Sequence, residues 1–585
     1  MQPEPRSSPQ PGPGPLPETS ERARPGLPGP VRWALLGIAL AILLGTELRP
    51  GSWADASRLA TIESLAERGT LAIDGSTYFW QGDKVRFDGR YYSHQPPMLA
   101  LLGALPYALL HHLFGLAIDT RGSLWGLPLS VPQALTWLLV GLPTWLGLWA
   151  LAHLLRRFEL GARTIALLLL GLFSGSLLLP YALVLNQHAP AGALAALAWL
   201  AIERRRYAAA GLALSVAATM DLGLCFPAAL ALWPVALAAR RERSPRPLAS
   251  FIAAALPPLA LYAAINLSIA GDLRPFGLHS EAFRYALSPF LLMSLTGVGE
   301  ARGAGEGWNY ALHALFGHSG LFSHHPLLLW FAGLGAAAAL RGRRSPLAPG
   351  LLAASVVGSL LLALYYLTSS RNFGGSSFGM RWFVAFCPAF GLWAALGLRG
   401  RRIGLGQAAL ALALGLWSTG AALLGAVNPW TKVYYTYASS PIGMAALPED
   451  PRPESWGEHL EAEWRRIQQR QPLDKESYDQ TFQRMLDQLR KFYLRPAGEL
   501  PEAARRARAQ AGLDKLLPVI DLMDSEAVTL FSRPVAHFWE GKFQAALGDP
   551  VRARRAYEAA RRLAPTWPPP QKALERLDAG EAAGE

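Results

Sequence analysis

Long apolar runs recur through the first three quarters of this chain, and each is long enough to enter or cross a hydrocarbon core of roughly 30 Å. The sequence is 51% hydrophobic and only 17% charged, below the roughly 25% charged residues of an average soluble protein. These features exclude a disordered chain and a soluble enzyme, and they predict an all-α, polytopic membrane protein. The apolar runs lie at 33–48, 97–118, 131–155, 164–181, 188–202, 207–220, 222–239, 247–270, 323–340, 347–368, 382–398 and 404–427.

Cysteine content and charge exclude two further classes. Cys225 and Cys387 both lie in apolar runs, which argues against a disulfide scaffold and a cysteine-rich metal site. The net charge of +13 comes from short basic clusters between apolar runs, where cytoplasmic loops of membrane proteins carry them. We therefore predict that the protein is embedded in a membrane and does not bind nucleic acid.

The N-terminal region divides into a tail and a first span. Residues 1–30 are rich in Pro, Gly and Ser, which is typical of a disordered tail. The run 33–48 leads into Glu47-Leu48-Arg49-Pro50 instead of the small residues at which a signal peptide is cleaved. It is therefore interpreted as a retained first span.

The basic clusters predict the topology. Two apolar runs separate each neighbouring pair of clusters, so all clusters face one side, which the positive-inside rule assigns to the cytoplasm together with the N-terminus. The clusters are Arg156/Arg157/Arg163, Arg204–Arg206, Arg240/Arg241/Arg243/Arg246, Arg341/Arg343/Arg344 and Arg399/Arg401/Arg402.

One of the first three apolar runs cannot cross, because an even number of crossings must connect the cytoplasmic tail to Arg156. The run 97–118 begins with two prolines, contains Pro106 and ends near two histidines, features that favour an interfacial helix. The alternative is that this run crosses and another short run does not. If the run 97–118 is interfacial, the sequence predicts about eleven spans within a domain at 31–427, with external loops at 49–130 and 271–322.

The C-terminal region, 428–585, is predicted to be an external helical domain, rich in Arg, Glu and Gln. Its end matches the spacing of one tetratricopeptide (TPR) repeat, a helix–turn–helix unit that holds protein partners; a generic helical domain is the alternative. The matching residues are Gly541, Gly548, Asp549, Ala553, Tyr557, Ala560 and Pro565.

The first external loop is the candidate for chemistry, because carboxylates, cations and aromatic residues meet there at the membrane surface. A carboxylate in this place can act as a general base on a hydroxyl, and cations can bind a phosphate at headgroup level. A solvated cap of the membrane domain is the alternative. The loop carries Asp55, Arg58, Glu63, Lys84, Arg90, Tyr92, His94 and Gln95.

Three stretches resemble the GT-C glycosyltransferases, in particular bacterial relatives of the protein O-mannosyltransferases and the lipid A aminoarabinose transferase. They begin at Asp55 (Asp-Ala-Ser-Arg), at Asp88 (Asp-Gly-Arg-Tyr-Tyr-Ser-His-Gln-Pro-Pro) and at Asn372 (Asn-Phe-Gly-Gly-Ser-Ser-Phe-Gly-Met-Arg). The resemblance covers roughly residues 30–427 and implies inverting transfer of a sugar from a polyprenyl-phosphate donor to a lipid or protein acceptor on the external face.

The resemblance also implies roles for individual residues. Asp55 is the implied catalytic base, and the implied substrate-binding residues are Arg58, Lys84, Arg90, Tyr92, His94, Gln95 and Arg381. Members often carry a second acid near the position of Asp55, whereas this chain has Asp-Ala-Ser, a lone acid, which argues against a metal-bridged mechanism; a divalent metal is not assigned but stays open as a cofactor. The Lys that precedes the proline turn in the family is Gln95 here, which removes a cation that Lys84 or Arg90 would replace.

Simpler roles stay open for the same residues. Asp55 is also a good N-cap for a helix starting near Ala56, Arg58 a surface charge, and Arg381 an arginine that extends toward water. His94 is either a metal ligand or a hydrogen-bonded side chain. The stretch Asn186-Gln187-His188 lies where relatives often have a second acid; it is interpreted as a polar loop, with hydrogen bonding to a sugar as the alternative. Asp221 is interpreted as exposed in a short external loop or as functional within the membrane.

Two other function classes compete with a glycosyltransferase. A transporter or flippase of lipid-linked sugars would show internal repeats and broken helices, which the sequence lacks. A non-catalytic scaffold with a repeat domain stays open because of Gln95. The abundance of Arg, Ala, Gly, Leu and Pro indicates a GC-rich bacterium, and hence an inner-membrane protein with a cytoplasmic N-terminus and an external C-terminus.

Overall fold

A computed structural model describes residues 26–579 of this chain, except 80, 125–126, 284–303, 318, 371–372, 375–376, 428, 431–501, 526–532 and 566. Within that part, six helical segments are long and apolar enough to cross a membrane: Val131–Arg156, Leu222–Glu242, Arg246–Ala270, Leu351–Ser369, Arg381–Leu398 and Leu405–Val427. Shorter apolar helices accompany them. The chain is a helical, polytopic membrane protein.

The helices follow the apolar runs closely. Their bounds are α1 Gly29–Gly45, α2 Trp53–Arg68, α3 Met98–Phe114, α4 Val131–Thr136, α5 Leu142–Arg156, α6 Ala162–Ser174, α7 Leu178–Ala182, α8 His188–Glu203, α9 Tyr207–Met220, α10 Cys225–Leu230, α11 Leu232–Glu242, α12 Arg246–Ala270, α13 Ala304–Leu315, α14 Leu321–His324, α15 Pro326–Leu340, α16 Leu351–Ser369, α17 Cys387–Leu398 and α18 Leu405–Val427. A π-helical turn joins α4 to α5, and 3₁₀ turns lie at Leu222–Leu224, Phe276–Leu278, Ser280–Phe283 and Arg381–Phe386.

Two short β-hairpins interrupt the helices, and the apolar pattern does not predict them. Strand β1 (Lys84–Phe87) pairs with β2 (Arg90–Ser93), and β3 (Arg121–Leu124) pairs with β4 (Leu127–Ser130), both antiparallel. The first hairpin turns at Asp88 and Gly89, which have φ values of 45° and 81°. Positive φ at both positions matches the two-residue turn that fits the twist of a hairpin.

The segment Arg381–Leu398 lies at the centre of the membrane domain, because small residues let other helices pack against it at backbone distance. A Cβ at Gly192 of α8 would lie 2.5 Å from the carbonyl oxygen of Ala385. One at Gly397 would lie 2.6 Å from the backbone of Leu334 in α15. This packing holds the first residue of the segment, Arg381, at the end of a buried element.

The described C-terminal helices are α19 Glu502–Ser525, α20 Arg533–Leu547, α21 Pro550–Leu563 and α22 Pro568–Asp578. Helices α20 and α21 form a hairpin in which Gly541 faces the ring of Tyr557, where a Cβ would meet ring atoms at 2.4 Å. Gly548 makes the turn with φ 83°. This is the helix–turn–helix predicted from the spacing; its membership of the TPR class and its external location stay predictions.

Thiol labelling tests the predicted topology. In a chain whose Cys225 and Cys387 are replaced by Ala, we expect Thr120→Cys to react with an impermeant thiol reagent added to intact cells. We expect Leu160→Cys to react only after permeabilisation. The physical reason is the side assigned to the basic clusters. Labelling of position 160 in sealed cells would overturn the arrangement of about eleven spans.

Candidate functional site

Asp55 lies at the start of α2 but does not cap it. The helix begins at Trp53, and the hydroxyl of Ser52 accepts a hydrogen bond from the backbone N–H of Asp55 at 3.1 Å. Ser52 is therefore the N-cap, a role that serine fills well. The interpretation of Asp55 as a cap is wrong, because the helix starts three residues earlier than the sequence suggests.

The Asp55 carboxylate is buried and makes no hydrogen bond of good geometry among the described residues. Its side chain is 1% exposed, and both oxygens lack such a partner. Burial raises its pKa to about 7, although the charge of the neighbouring Arg58 guanidinium, the Ser52 side chain and the Gly51 backbone work in the opposite direction. A buried carboxylate with so little hydrogen bonding is costly, and one that ionises near pH 7 is suited to accept a proton.

Arg58 is buried and hydrogen-bonds to several residues, so the alternative that it is a surface charge is wrong. Its Nη1 lies 3.7 Å from Asp55 Oδ1 and donates to the backbone oxygen of Leu185 at 3.1 Å. Its Nη2 donates to Gln95 Oε1 at 2.8 Å and to Gln187 Oε1. Burial lowers the pKa of Arg58 to about 10. The guanidinium thus joins α2 to two distant loops and holds a positive charge beside Asp55.

Gln95, which directly precedes the proline turn, hydrogen-bonds to the Arg58 guanidinium as an uncharged side chain. It accepts from Arg58, and its Nε2 lies 2.8 Å from His94 Nε2. The other ring nitrogen of His94, Nδ1, lies 3.3 Å from the backbone oxygen of Asp83, and burial lowers the pKa of the imidazole. His94 is therefore hydrogen-bonded through both nitrogens. In the described part of the chain no group of three or more His, Cys, Asp or Glu is placed to hold a metal.

The first hairpin carries the other predicted substrate-binding residues. The Nζ of Lys84 donates to the backbone oxygen of Phe79 at 2.6 Å and lies 3.8 Å from the centre of its ring; burial lowers its pKa to about 8. Tyr92 packs near Phe276, with ring centres 6.3 Å apart, and Arg90 is exposed at the turn. The structure thus places Lys84 and Tyr92 within the hairpin packing and Arg90 on its surface.

Arg381, from a distant part of the sequence, reaches the same site. Its charge acts on both Asp55 and Arg58, and its guanidinium lies 5.5 Å from the ring centre of Trp430. Its buried Nε has no hydrogen-bond partner among the described residues. The preceding loop turns at Gly374, where φ is 97°, a conformation open to glycine. Asn372 and Gly375 of the predicted motif lie outside the described residues.

A second carboxylate, Glu47, lies within electrostatic range of Asp55, although the stretch Asp-Ala-Ser itself carries a single acid. Helix α1 ends at Gly45, which leaves Glu47 outside the helix. Its two carboxylate oxygens lie over Gly51, where a Cβ would meet them at 2.8 and 3.3 Å. Burial, followed by the charge of Asp55, raises the pKa of Glu47 to about 8. The sequence hides this pair because the turn at 46–52 brings the residues together across eight positions.

The loop before α8 also differs from its prediction as a simple polar loop. Asn186 caps α8 by accepting from the backbone N–H groups of His188 and Ala189, at 3.0 and 3.1 Å. His188 Nδ1 lies 2.7 Å from Asp221 Oδ2, and both side chains are buried. Asp221 is therefore not exposed to water. Local pattern does not predict this hydrogen-bonded pair, because 33 positions separate its members.

The described part of the predicted second external loop, 271–322, packs against the first hairpin. The rings of Phe276 and His279 lie 5.5 and 5.3 Å from that of Phe87, and His279 Nε2 lies 3.2 Å from Asp272 Oδ1. A cavity between hairpin and helices extends to the Arg58 side chain; it is lined by Arg58, Thr61, Leu71, Tyr92, Ser93, Gln95, Pro96, Pro97, Ala100 and Phe276. Residues 284–303 of the same loop lie outside the described residues.

Comparison with known proteins gives distant structural likenesses. No protein-family model matches the sequence, and no curated protein matches it. The crystal structure of ArnT from Cupriavidus metallidurans bound to undecaprenyl phosphate is 13% identical, with a TM-score of 0.40 over 76% of this chain and 80% of that chain. The apo structure of the same protein is 15% identical, with a TM-score of 0.41 over 79% and 71%.

Proposed function

We propose that this protein is an integral-membrane glycosyltransferase, which transfers a sugar from a polyprenyl-phosphate donor to a cell-envelope acceptor on the external face. One observation carries the proposal. Asp55, a buried carboxylate that makes no hydrogen bond of good geometry among the described residues, lies beside Arg58 and in electrostatic range of Arg381. A base and cations in one site, just beyond the end of an apolar helix, are what this transfer requires.

The two arginines take different roles. The Arg58 guanidinium donates hydrogen bonds to Leu185, Gln95 and Gln187. Arg58 is therefore held in place and keeps a positive charge beside Asp55. Arg381 has no such set of partners among the described residues, and its Nε is unpaired. Arg381 is therefore the cation that binds the donor phosphate, with the ring of Trp430 supporting its guanidinium.

The reaction follows from these roles. An acceptor hydroxyl oxygen attacks the anomeric carbon of the donor sugar, and the bond from that carbon to the phosphate oxygen breaks. Asp55 takes the hydroxyl proton, and the polyprenyl phosphate leaves with the bonding electrons, its added charge stabilised by Arg381. A single displacement of this kind inverts the anomeric centre. No step is assigned to a metal.

The wider setting belongs to the same proposal. The chain would lie in a bacterial inner membrane, with residues 1–30 cytoplasmic and the membrane domain at 31–427. The C-terminal part, 428–585, would be external and would bind a protein partner through the helical hairpin α20–α21. The acceptor would be a lipid or a protein of the cell envelope.

A transfer assay tests the function. Purified protein in proteoliposomes is incubated with polyprenyl-phosphate donors carrying different radiolabelled sugars, together with a cell-envelope extract as the source of acceptor. We expect at least one label to move into the extract, with release of polyprenyl phosphate. Movement of the intact labelled lipid across the bilayer without release of its sugar would instead identify a transporter. Binding of the donor without either event would identify a scaffold.

The rate should depend on pH through Asp55. The carboxylate accepts a proton only when ionised, and its pKa is about 7. We therefore expect kcat/KM to rise with pH through about 7 and then to level off. A pH–rate profile measures this limb.

Glu47 supplies the control for that profile. Burial and the charge of Asp55 raise the pKa of Glu47 as well, so Glu47 is the other carboxylate of the site that titrates in this pH range. With Asp55 as the base, Glu47→Gln should leave the limb near pH 7. A limb that disappears in Glu47→Gln would assign the titration to Glu47 and contradict the role of Asp55.

A further inference from the structure

The polar groups of the site extend beyond Asp55 and the two arginines to a pair that the proposed mechanism does not use. His188 and Asp221 are buried, 2.7 Å apart, and lie within electrostatic range of Arg58. We propose that His188, held by Asp221, forms with Tyr366 and Trp382 the subsite for the sugar ring of the donor. This inference rests on the proposed function and adds the residues that recognise the sugar.

The hydrogen bond to Asp221 determines what His188 can offer a ligand. The Asp221 carboxylate accepts from Nδ1–H, so the neutral imidazole presents Nε2 as an acceptor. The side-chain hydrogen bond that the structure gives His188 is the one at Nδ1, and Asp221 Oδ1 accepts from the backbone N–H of Gly223 at 3.3 Å. Gly223 thus holds Asp221 in place, and His188 Nε2 can accept a hydrogen bond from a sugar hydroxyl.

Position along the chain links this pair to Arg58 and to Arg381, both of which act electrostatically on His188. His188 directly follows Gln187, whose side chain accepts from Arg58. The helix that His188 begins, α8, packs at backbone distance on the segment that starts at Arg381, through Gly192 and Ala385. A phosphate bound by Arg381 would therefore have its attached sugar near the start of α8.

An aromatic pair lies beside the same groups. The rings of Tyr366 and Trp382 are stacked, with centres 4.7 Å apart and an angle of 24° between planes. Trp382 directly follows Arg381, and the Tyr366 hydroxyl lies 2.8 Å from the position that a Cβ of Gly223 would take. A pyranose presents an apolar face of C–H groups and a rim of hydroxyls, and sites for such ligands combine apolar walls with a few placed polar groups.

A binding experiment tests the subsite independently of catalysis. The probes are undecaprenyl phosphate and the same lipid carrying glucose, mannose, galactose or arabinose, measured on the full chain in detergent. We expect the wild-type protein to bind at least one glycolipid more tightly than undecaprenyl phosphate. His188→Phe should weaken binding of that glycolipid by about tenfold, the order of one lost hydrogen bond, and leave binding of undecaprenyl phosphate unchanged.

Three variants complete the test. His188→Gln, which keeps an acceptor oxygen, should recover part of the preference, and Asp221→Asn should lose part of it. Arg381→Ala should weaken both ligands together. An unchanged preference in His188→Phe would overturn the subsite, as would loss of both ligands in His188→Phe and His188→Gln alike, which would assign the pair to the fold. Failure of the wild-type protein to bind undecaprenyl phosphate at all would instead count against the proposed function.

Discussion

Asp55→Asn is expected to lower kcat by about 10²–10⁴-fold, the usual contribution of a general base, while donor binding changes little. The amide matches the carboxylate in shape but cannot take the hydroxyl proton. The wild-type carboxylate makes no hydrogen bond of good geometry among the described residues, and its two nearby donors, on Ser52 and Gly51, can also donate to the amide oxygen of Asn. A structural effect on the fold should therefore be small. Turnover and donor affinity, measured on the same preparation, separate the two quantities.

Asp88→Asn is the matched control. Asp88 lies on the same external loop, but it is exposed and occupies the hairpin turn with φ 45°, a conformation that asparagine adopts readily. We expect this variant to retain wild-type turnover. If Asp55→Asn transfers sugar at the rate of Asp88→Asn, Asp55 is not the base and the proposed mechanism fails.

Arg381→Ala is expected to weaken donor binding by about 10–100-fold, because a hydrogen bond between a guanidinium and a phosphate is charge-assisted and contributes about 1.5–3 kcal/mol. The effect should appear in the affinity for polyprenyl phosphate itself, with or without a sugar. Arg381→Lys should recover part of it, since the charge returns without the planar fork. Equilibrium binding of labelled undecaprenyl phosphate measures both variants.

Arg90→Ala distinguishes the two predicted phosphate ligands. The resemblance assigns Arg90 to substrate binding, yet the structure places this side chain in solvent at the hairpin turn. An exposed charge contributes little to binding, so we expect Arg90→Ala to change donor affinity by less than about threefold. A larger loss for Arg90→Ala than for Arg381→Ala would reverse the assignment of the phosphate ligand.

The sequence alone was sufficient to predict where several of the key elements begin. Apolar runs marked the helices because a membrane span must satisfy its backbone hydrogen bonds internally. Asp55 could be singled out because it follows the first run closely, and Arg381 because it precedes a late one. Gly548 marked the turn of the C-terminal hairpin, since its positive φ is open to glycine.

Local pattern was less informative about what the side chains contact. Asp55 was an equally good cap by residue type, and only the start of α2 at Trp53, with Ser52 as its cap, separates the two roles. Gln95 looked like the loss of a phosphate-binding cation. In the structure it is instead a neutral partner of Arg58, a role that depends on which helix the proline turn packs against.

The sequence by itself determined that this protein spans a membrane and that an acid follows its first apolar run, because hydrophobic length and order along the chain are local properties. Only the tertiary structure decided which groups meet that acid. Glu47 reaches it through a turn, Arg58 is held by a glutamine 129 positions away, and His188 pairs with Asp221 across 33 positions. Such contacts depend on how helices pack, and packing is set by side-chain shape across the whole domain, which no window of sequence contains.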